Sequence, residues 1–598
     1  MKKLAMALLV VSSLLFVFGC SPASVPSSPL SPASTSSASS SPLSSQGSPT
    51  VQGNFIEGAS GGDAETLNWI LAADASSFSY AGLALDSLAS YNNQGNLVLG
   101  HLAKPVEVSS DGLTYTMTIR DDLKWSDGQP VTAEDYVYTL NNLMLSDWLN
   151  YPYKSDWEET VDGQSVLVKS SLVNSTTFTL TRQTVDPEFA DNNIYSLIPY
   201  PKHIAVKYEG DVKAFTEAPE FNTLSYTGNL GPYKYSDWIR NDKFVVARNP
   251  DFYLGQQDGS PYFEKYETKI FGTSAAALAA LQAGDITSTG IEPEQVAKFK
   301  QMSNIKVYTN PTSRYDLILL NQRANGWAGL KDKRVRQALS MSINKKSVID
   351  SIRLGFGDPA FSFIPNTSSW YTEEGVSRYG WGDLYDKEKA KQKLLAAGYG
   401  IKKADGSISI QDKNGQSMKL ILATTPGSSL SENLAYLVKQ ELSDIGIEVE
   451  IKLIPWETLL RQYAMNKTPG SDEEARDNNG LDAVSEQPWD MIIMAYNTNI
   501  NAPSGSRVFF STTGGLNING YSNPTVDALF QKINTREALD ITVRKQIYAE
   551  ISRIIADDQP DIFLDFPRVN AGFQSNVQGI EPGIRMGWNY YKWYFAQP

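Results

Sequence analysis

Few side chains in this sequence are suited to catalysis. There are two histidines, His101 and His203, and a single cysteine, Cys20, in 598 residues. The histidines lie far apart and neither has zinc-like spacing to other ligands, so a transition-metal site is not expected. His203, in Pro201-Lys202-His203-Ile204, reads as a structural residue at a helix start. No GxSxG elbow, no GxxxxGK[ST] loop and no glycine-rich dinucleotide fingerprint occurs, which removes the usual support for serine hydrolases, NTPases and Rossmann enzymes. A glycosidase-type carboxylate pair stays open, because 66 acidic residues offer many pairs and sequence spacing says nothing about separation in space. No cofactor is expected.

Cys20 has a context that assigns it a chemistry. It follows Val17-Phe18-Gly19 at the end of an apolar run from Leu4 to Phe18, itself preceded by Lys2 and Lys3. A basic start and an apolar stretch of about fifteen residues are too short for a membrane span and fit an export signal. Cysteine at this point fits a lipobox, in which the thiol is lipidated and becomes the new N-terminus after cleavage. Phe18 is bulkier than the motif usually carries, so a cleaved, freely secreted protein is the alternative. With no second cysteine, disulfides take no part in the fold.

Downstream, residues 21–50 are dominated by Ser and Pro and carry no charge. Such a stretch cannot bury a core, and as a flexible tether it would span roughly 30 Å. The formal net charge is −14. Phosphate backbones demand clustered Lys and Arg, so nucleic acid is not an expected partner. Aromatic residues make up 11% of the chain, with 30 Tyr and 12 Trp. Most must serve packing, but Tyr and Trp also line clefts that hold varied ligands.

The remaining chain alternates strands and helices. Val106–Val108 and Thr114–Arg120 flank an Asp111-Gly112 turn and read as a hairpin, with Tyr115, Met117 and Ile119 on one face. Thr132 and Asp135 form the ends of a capping box for a helix bearing Val137, Leu140 and Leu143. A second helix from Asp386 to Ala397 closes at Gly398. Leu420–Ala423 reads as a strand and Ser429 with Glu432 as the capping box of the next helix. Gly446 ends that helix, and Ile447, Val449, Ile451 and Leu453 alternate as another strand. This strand-helix-strand unit predicts parallel pairing. Lys467 to Leu481 reads as a surface insertion.

An ordered set of blocks then resembles a known family. It begins with Ser110-Asp111-Gly112-Leu113-Thr114-Tyr115, Leu123-Lys124-Trp125, Asp127-Gly128 and Thr132-Ala133-Glu134-Asp135. It continues through Pro201-Lys202-His203-Ile204, Arg248-Asn249-Pro250-Asp251-Phe252-Tyr253, Ala280-Leu281-Gln282-Ala283-Gly284-Asp285, Val335-Arg336-Gln337-Ala338-Leu339 and Tyr521-Ser522-Asn523-Pro524. The chain is similar in these blocks to the family 5 extracellular solute-binding proteins, the peptide receptors of ABC importers. The resemblance implies an α/β, two-lobed periplasmic-binding-protein-like fold with a hinge and an extra inserted domain. It implies a first lobe from 51–92, 227–308 and 565–598, an inserted domain over 93–226, and a second lobe over 309–564. Hinge crossings are expected near Tyr315–Asn321 and Phe563–Phe566.

The same resemblance nominates ligand-binding residues. Trp456 and Tyr496 match aromatic walls, and Tyr151 and Tyr153 are candidates for the rim. Asn499 stands where peptide-binding members carry an aspartate that pairs with the ligand's ammonium, and Ile493 where some carry an arginine. Neutral Asn499 cannot offset a buried ammonium. That gives weight to an oligosaccharide, a blocked peptide or another neutral ligand as the alternative, while the ligands of the family as a whole keep a peptide as the leading expectation. The expected partners are an ABC permease and, through Cys20, the membrane, with the protein acting as a monomer. A surface-anchored hydrolase and a signalling or chaperone-like receptor are the competing classes.

Overall fold

The computed structural model describes residues 49–597 apart from 61, 163, 223, 225–227 and 468–482. Cys20, the leader, nearly all of the Ser/Pro tether and most of the 467–481 insertion lie outside the described residues. A twelve-stranded mixed sheet forms the backbone of the molecule. In chain order its strands are β1 (Asn54–Ala59), β2 (Tyr233–Ile239), β3 (Lys243–Arg248), β4 (Lys265–Ile270), β5 (Ser288–Ile291) and β6 (Ile305–Pro311). They continue as β7 (Arg314–Leu320), β8 (Gly357–Pro359), β9 (Met418–Thr424), β10 (Ile447–Leu453), β11 (Met491–Asn497) and β12 (Asp561–Gln574). The order across the sheet is β2-β3-β4-β1-β5-β12-β7-β11-β9-β10, with β6 and β8 also paired to β12.

Strand β12 belongs to both halves of the molecule. Its C-terminal part pairs with β5 and β6, and its N-terminal part with β7 and β8. The second crossing falls at Thr312 and Ser313, between β6 and β7 and ahead of Tyr315. Buried apolar side chains separate accordingly. One set of clusters draws on residues 55–305 and 571–593, the other on residues 315–566. Two lobes therefore share one sheet and are joined by a strand and a tight turn.

Glu107–Val108 pairs with the start of Thr114–Thr118, and Gly112 has a φ of 76°, a conformation that glycine adopts without a Cβ penalty. The backbone N–H of Thr132 donates to Asp135 at 2.8 Å, closing the capping box of helix α1 (Ala133–Tyr138). Strands β9 and β10 run parallel, from Met418 opposite Ile447 to Thr424 opposite Leu453. They are joined by α2 (Ser429–Ser443). The cap of α2 differs by one residue from the sequence reading. Ser428 is the N-cap and accepts from the Ser431 N–H, while Glu432 reaches back to the Gly427 N–H at 2.9 Å. Gly427, at a φ of 82°, turns the chain one residue earlier than Ser429 alone suggests.

Residues 93–226 contribute a separate four-stranded sheet, a short hairpin of Glu158–Val161 with Gln164–Leu167, and the strand Leu97–Leu99, which pairs back to Ala89–Tyr91. Their apolar core is continuous with that of the first lobe: Tyr136, Phe178 and Tyr200 share a cluster with Phe55 and Phe244. The two histidines are structural here. His101 is fully buried, with Nδ1 2.7 Å from the Tyr136 hydroxyl. His203 opens Lys202–Ala205 and pairs with Asp127 at 2.6 Å.

The crossing point carries a buried ion cluster. Asp316 of β7 and Asp565 of β12 are direct cross-strand partners, and both are buried. Like charges directly opposite repel, and Arg353 lies between them, its Nε donating to Asp565 at 2.7 Å and an Nη group to Asp316. Arg353→Met leaves two buried, opposed carboxylates and should cost about 3–5 kcal/mol of stability. Urea denaturation measures this, and adding Asp316→Asn with Asp565→Asn should restore most of the loss.

Asp561, at the start of β12, is buried and accepts from the Asn519 amide at 2.6 Å. Burial pushes its carboxyl up to about 7, against about 3.9 in an unfolded chain. Between those values the folded state holds a proton that the unfolded chain has lost, so stability falls as pH rises through this window. In Asp561→Asn this dependence is absent. Its melting temperature should gain on the wild type between about pH 4 and pH 8, whereas a constant offset across that range contradicts the assignment.

Candidate functional site

Where the sheet passes from one lobe to the other lies a partly open cavity of about 300 Å³, at the small end of ligand sites. The first lobe contributes Glu57, Tyr266, Glu292 and Tyr590; the crossing strands contribute Asn310, Arg314 and Asn570. The second lobe contributes Ser428, Ser431 and Asn497, and the loop Gly583–Gly587 brings Arg585 and Met586. Each wall follows from an element already described. Ser428 and Ser431 lie at the start of α2, and Asn497 ends β11.

The electrostatics of the cavity are uneven. Glu57 is half-buried and accepts from the Tyr266 hydroxyl at 2.7 Å. Burial raises its carboxyl above the ordinary range, and that hydrogen bond opposes the rise. Arg353 is held by Asp565 and Asp316, and Arg568 by Asp358 through two bonds of 3.0 and 2.9 Å. Arg314 donates to Asp316 at 2.6 Å. Burial lowers Arg585 to about 10, with Asp191 opposing the shift, so its guanidinium is cationic at neutral pH.

The residues nominated from the sequence are not gathered in this cavity. Tyr496 is buried in the second lobe, stacked on Phe509 at 4.0 Å and edge-on to Tyr315 at 6.1 Å. Its neighbour Asn497, on the opposite face of β11, is the one that lines the cavity. Trp456 is 48% exposed at the first position of a short helix, Trp456–Thr458. Tyr151 and Tyr153 contact each other edge-on at 5.8 Å, the first also against Trp69 and the second against Phe78. Ile493 sits within β11 and packs against the core of the second lobe.

Asn499 has a different setting, at a seam between the lobes. Its amide donates to Asn192 at 2.9 Å, and Asn192 in turn donates to the Ser504 hydroxyl at 3.1 Å. Beside them Glu188 accepts from the Ser504 N–H at 3.0 Å and from the Tyr548 hydroxyl at 2.8 Å. Residues 188–192 belong to the segment that shares its core with the first lobe. The seam therefore bonds the second lobe to the segment that packs with the first.

Sequence reasoning missed Arg585, Glu57, Arg314 and Asn310. No motif marks them. Arg585 carries a weak signal, as the only charged residue between Glu581 and Lys592 in a glycine- and aromatic-rich stretch.

Two lobes joined by crossing strands, with a cavity walled by both, are the architecture of a hinged solute-binding protein. The model for bacterial extracellular solute-binding proteins, family 5 (middle region), matches residues 98–517, and the chain belongs to that family. A relative in Bacillus subtilis, the oligopeptide-binding protein AppA, is 27% identical over 562 residues, covering 92% of this chain and 93% of the relative. Among solved structures, the ABC transporter substrate-binding protein CtaP of Listeria monocytogenes superimposes with a TM-score of 0.74 at 25% identity. That match covers 92% of this chain and all of CtaP. AppA of B. subtilis in complex with a nonapeptide has the same fold, with a TM-score of 0.70 at 24% identity, over 92% of this chain and all of the other.

Glu188 makes the seam sensitive to pH. Burial raises its carboxyl, against the opposing bonds from Ser504 and Tyr548. A raised acid favours its protonated form, so the seam is strongest at low pH and weakens as pH rises above the ordinary carboxylate range. Glu188→Gln should melt higher relative to wild type at pH 8 than at pH 5. Glu188→Ala strands two buried donors and should cost about 1–3 kcal/mol. Calorimetry at both pH values separates the two effects.

Proposed function

We propose that this protein is the capture component of an ABC importer. It takes a peptide between its lobes and delivers it to the permease, acting as a monomer held to the outer face of the cell membrane by lipidated Cys20 and the 21–50 tether. The domain division expected from the sequence belongs to this reading, with 93–226 inserted into a first lobe and 309–564 forming the second. The observation that carries it is the cavity walled by both lobes at their crossing. A ligand held there touches both walls and so favours the closed arrangement by its differential affinity for it. The peptide assignment draws support from the AppA relative, itself an oligopeptide-binding protein. Asn499 serves this reading as a closure residue through Asn192.

A neutral ligand such as an oligosaccharide is the second reading. It is favoured by the uncharged Asn499–Asn192 pair, which places no carboxylate at position 499 to meet an ammonium. Native mass spectrometry of the purified protein, followed by thermal-shift screens of short peptides and oligosaccharides, distinguishes the two. A bound peptide at a hundredfold excess over Kd should stabilise the protein by about 2.7 kcal/mol without being consumed. Stabilisation by oligosaccharides alone moves the assignment to the second reading, and turnover of any ligand overturns the receptor role.

A further inference from the structure

Four arginines line the cavity, and three have a carboxylate of their own. Arg353 has Asp316 and Asp565, Arg568 has Asp358, and Arg314 has Asp316. Arg585 differs. Its Nη1 is buried and has no hydrogen-bond partner, and no ion pair forms to it among the described residues. Its guanidinium lies 4.9 Å from the centre of the Tyr91 ring, which supports the cation from one face. Asp191 offsets part of this charge at longer range, but the buried Nη1 is left without a hydrogen bond, which is costly unless a ligand completes it.

The loop that carries Arg585 is fixed in advance. Asn310, from the crossing strand β6, accepts from the Gly583 N–H at 2.8 Å and reaches the Met586 sulfur at 3.2 Å. Asn93 donates to the Pro582 carbonyl at 3.1 Å. Gly583 has a φ of 149°, and a Cβ there would meet Asn93 at 3.0 Å, so the turn depends on glycine. Across the cavity stand Ser428 and Ser431 at the first turn of the fifteen-residue helix α2. The Ser431 N–H is already taken by the Ser428 cap, so this end contributes through the helix dipole, which favours an anion. The neighbouring arginines cannot take that role without releasing their aspartates.

We infer that Arg585 is the anion anchor of the cavity and binds a carboxylate of the captured ligand, in a peptide its C-terminal carboxylate. The inference rests on the receptor reading above. A guanidinium forms paired bonds to a carboxylate and only weak ones to a neutral amide. Specificity should therefore follow the ligand's terminal charge.

The test uses the full-length protein and a pool of tripeptides prepared both as free acids and as C-terminal amides, with Kd measured by calorimetry. Wild type should bind the acids at least about tenfold more tightly than the amides. Arg585→Gln should erase that preference by weakening the acids while leaving the amides unchanged, and Arg585→Lys should keep part of it. Melting curves without ligand confirm that the variants fold, and the acid-to-amide ratio in wild type needs no variant. Peptide binding with an acid-to-amide ratio near one in wild type, or a ratio unmoved by Arg585→Gln, overturns the anchor and leaves the receptor role intact. Failure of wild type to bind either form overturns the anchor together with the peptide reading.

Discussion

Two aspartates that face each other across an antiparallel pair, both buried, are an arrangement that a sheet avoids. Asp316 and Asp565 occupy it at the point where the chain passes between lobes. Arg353 makes the pairing tolerable by bonding to both, and it does so from a segment adjoining β8, the short strand that also joins β12. The register slips between Asp316 and Leu317, and such irregularities bend a strand. The cluster thus fixes which residues of β7 and β12 oppose each other at the bend. The directions of both lobes, and hence the position of the cavity between them, depend on that choice. Gly357 fits the same constraint, since a Cβ there would come within 3.0 Å of the Asp565 carboxylate.

Much of the scaffold was legible because it is locally encoded. The Asp111-Gly112 hairpin, the Thr132–Asp135 capping box and the parallel β9-α2-β10 unit each depend on residues within a few positions of one another or on a simple period. The cap at Ser428 in place of Ser429 shows where such reasoning loses resolution: adjacent serines are equivalent until the turn at Gly427 is known. The site was harder to read because it is assembled from distant stretches. The loop bearing Arg585 meets Asn310 and Asn93 through Gly583, Met586 and Pro582 only after β6 and β12 have paired, and no spacing records those contacts. Tyr496 illustrates the converse. Its period along β11 is clear, yet which face of the strand meets the cavity is decided by the packing of Phe509 and Tyr315.

The charge distribution adds a second layer. The chain as a whole is acidic, at −14, while the cavity where the lobes meet draws in four arginines. Three of them are structural cations, neutralised by aspartates that stabilise the crossing. A net acidic surface around a partly cationic interior concentrates the field inside a small, low-dielectric space, where it acts more strongly than the same charges would in water.

The seam and the cavity are consequences of one geometry. The segment bearing Glu188 and Asn192 shares a continuous apolar core with the first lobe, and close-packed cores move as units. Any opening at the β6–β7 turn and along β12 must therefore carry Glu188 and Asn192 away from Ser504, Tyr548 and Asn499 as the cavity walls separate. The hydrogen bonds of the seam supply a modest closing tendency in the absence of ligand, because each was exchanged for bonds to water. In the receptor role proposed above, what remains to favour closure is a molecule that touches both walls. A seam built from two neutral amides and one acid of raised pKa keeps that intrinsic tendency weak, so that a ligand bridging the cavity can decide between the open and closed arrangements.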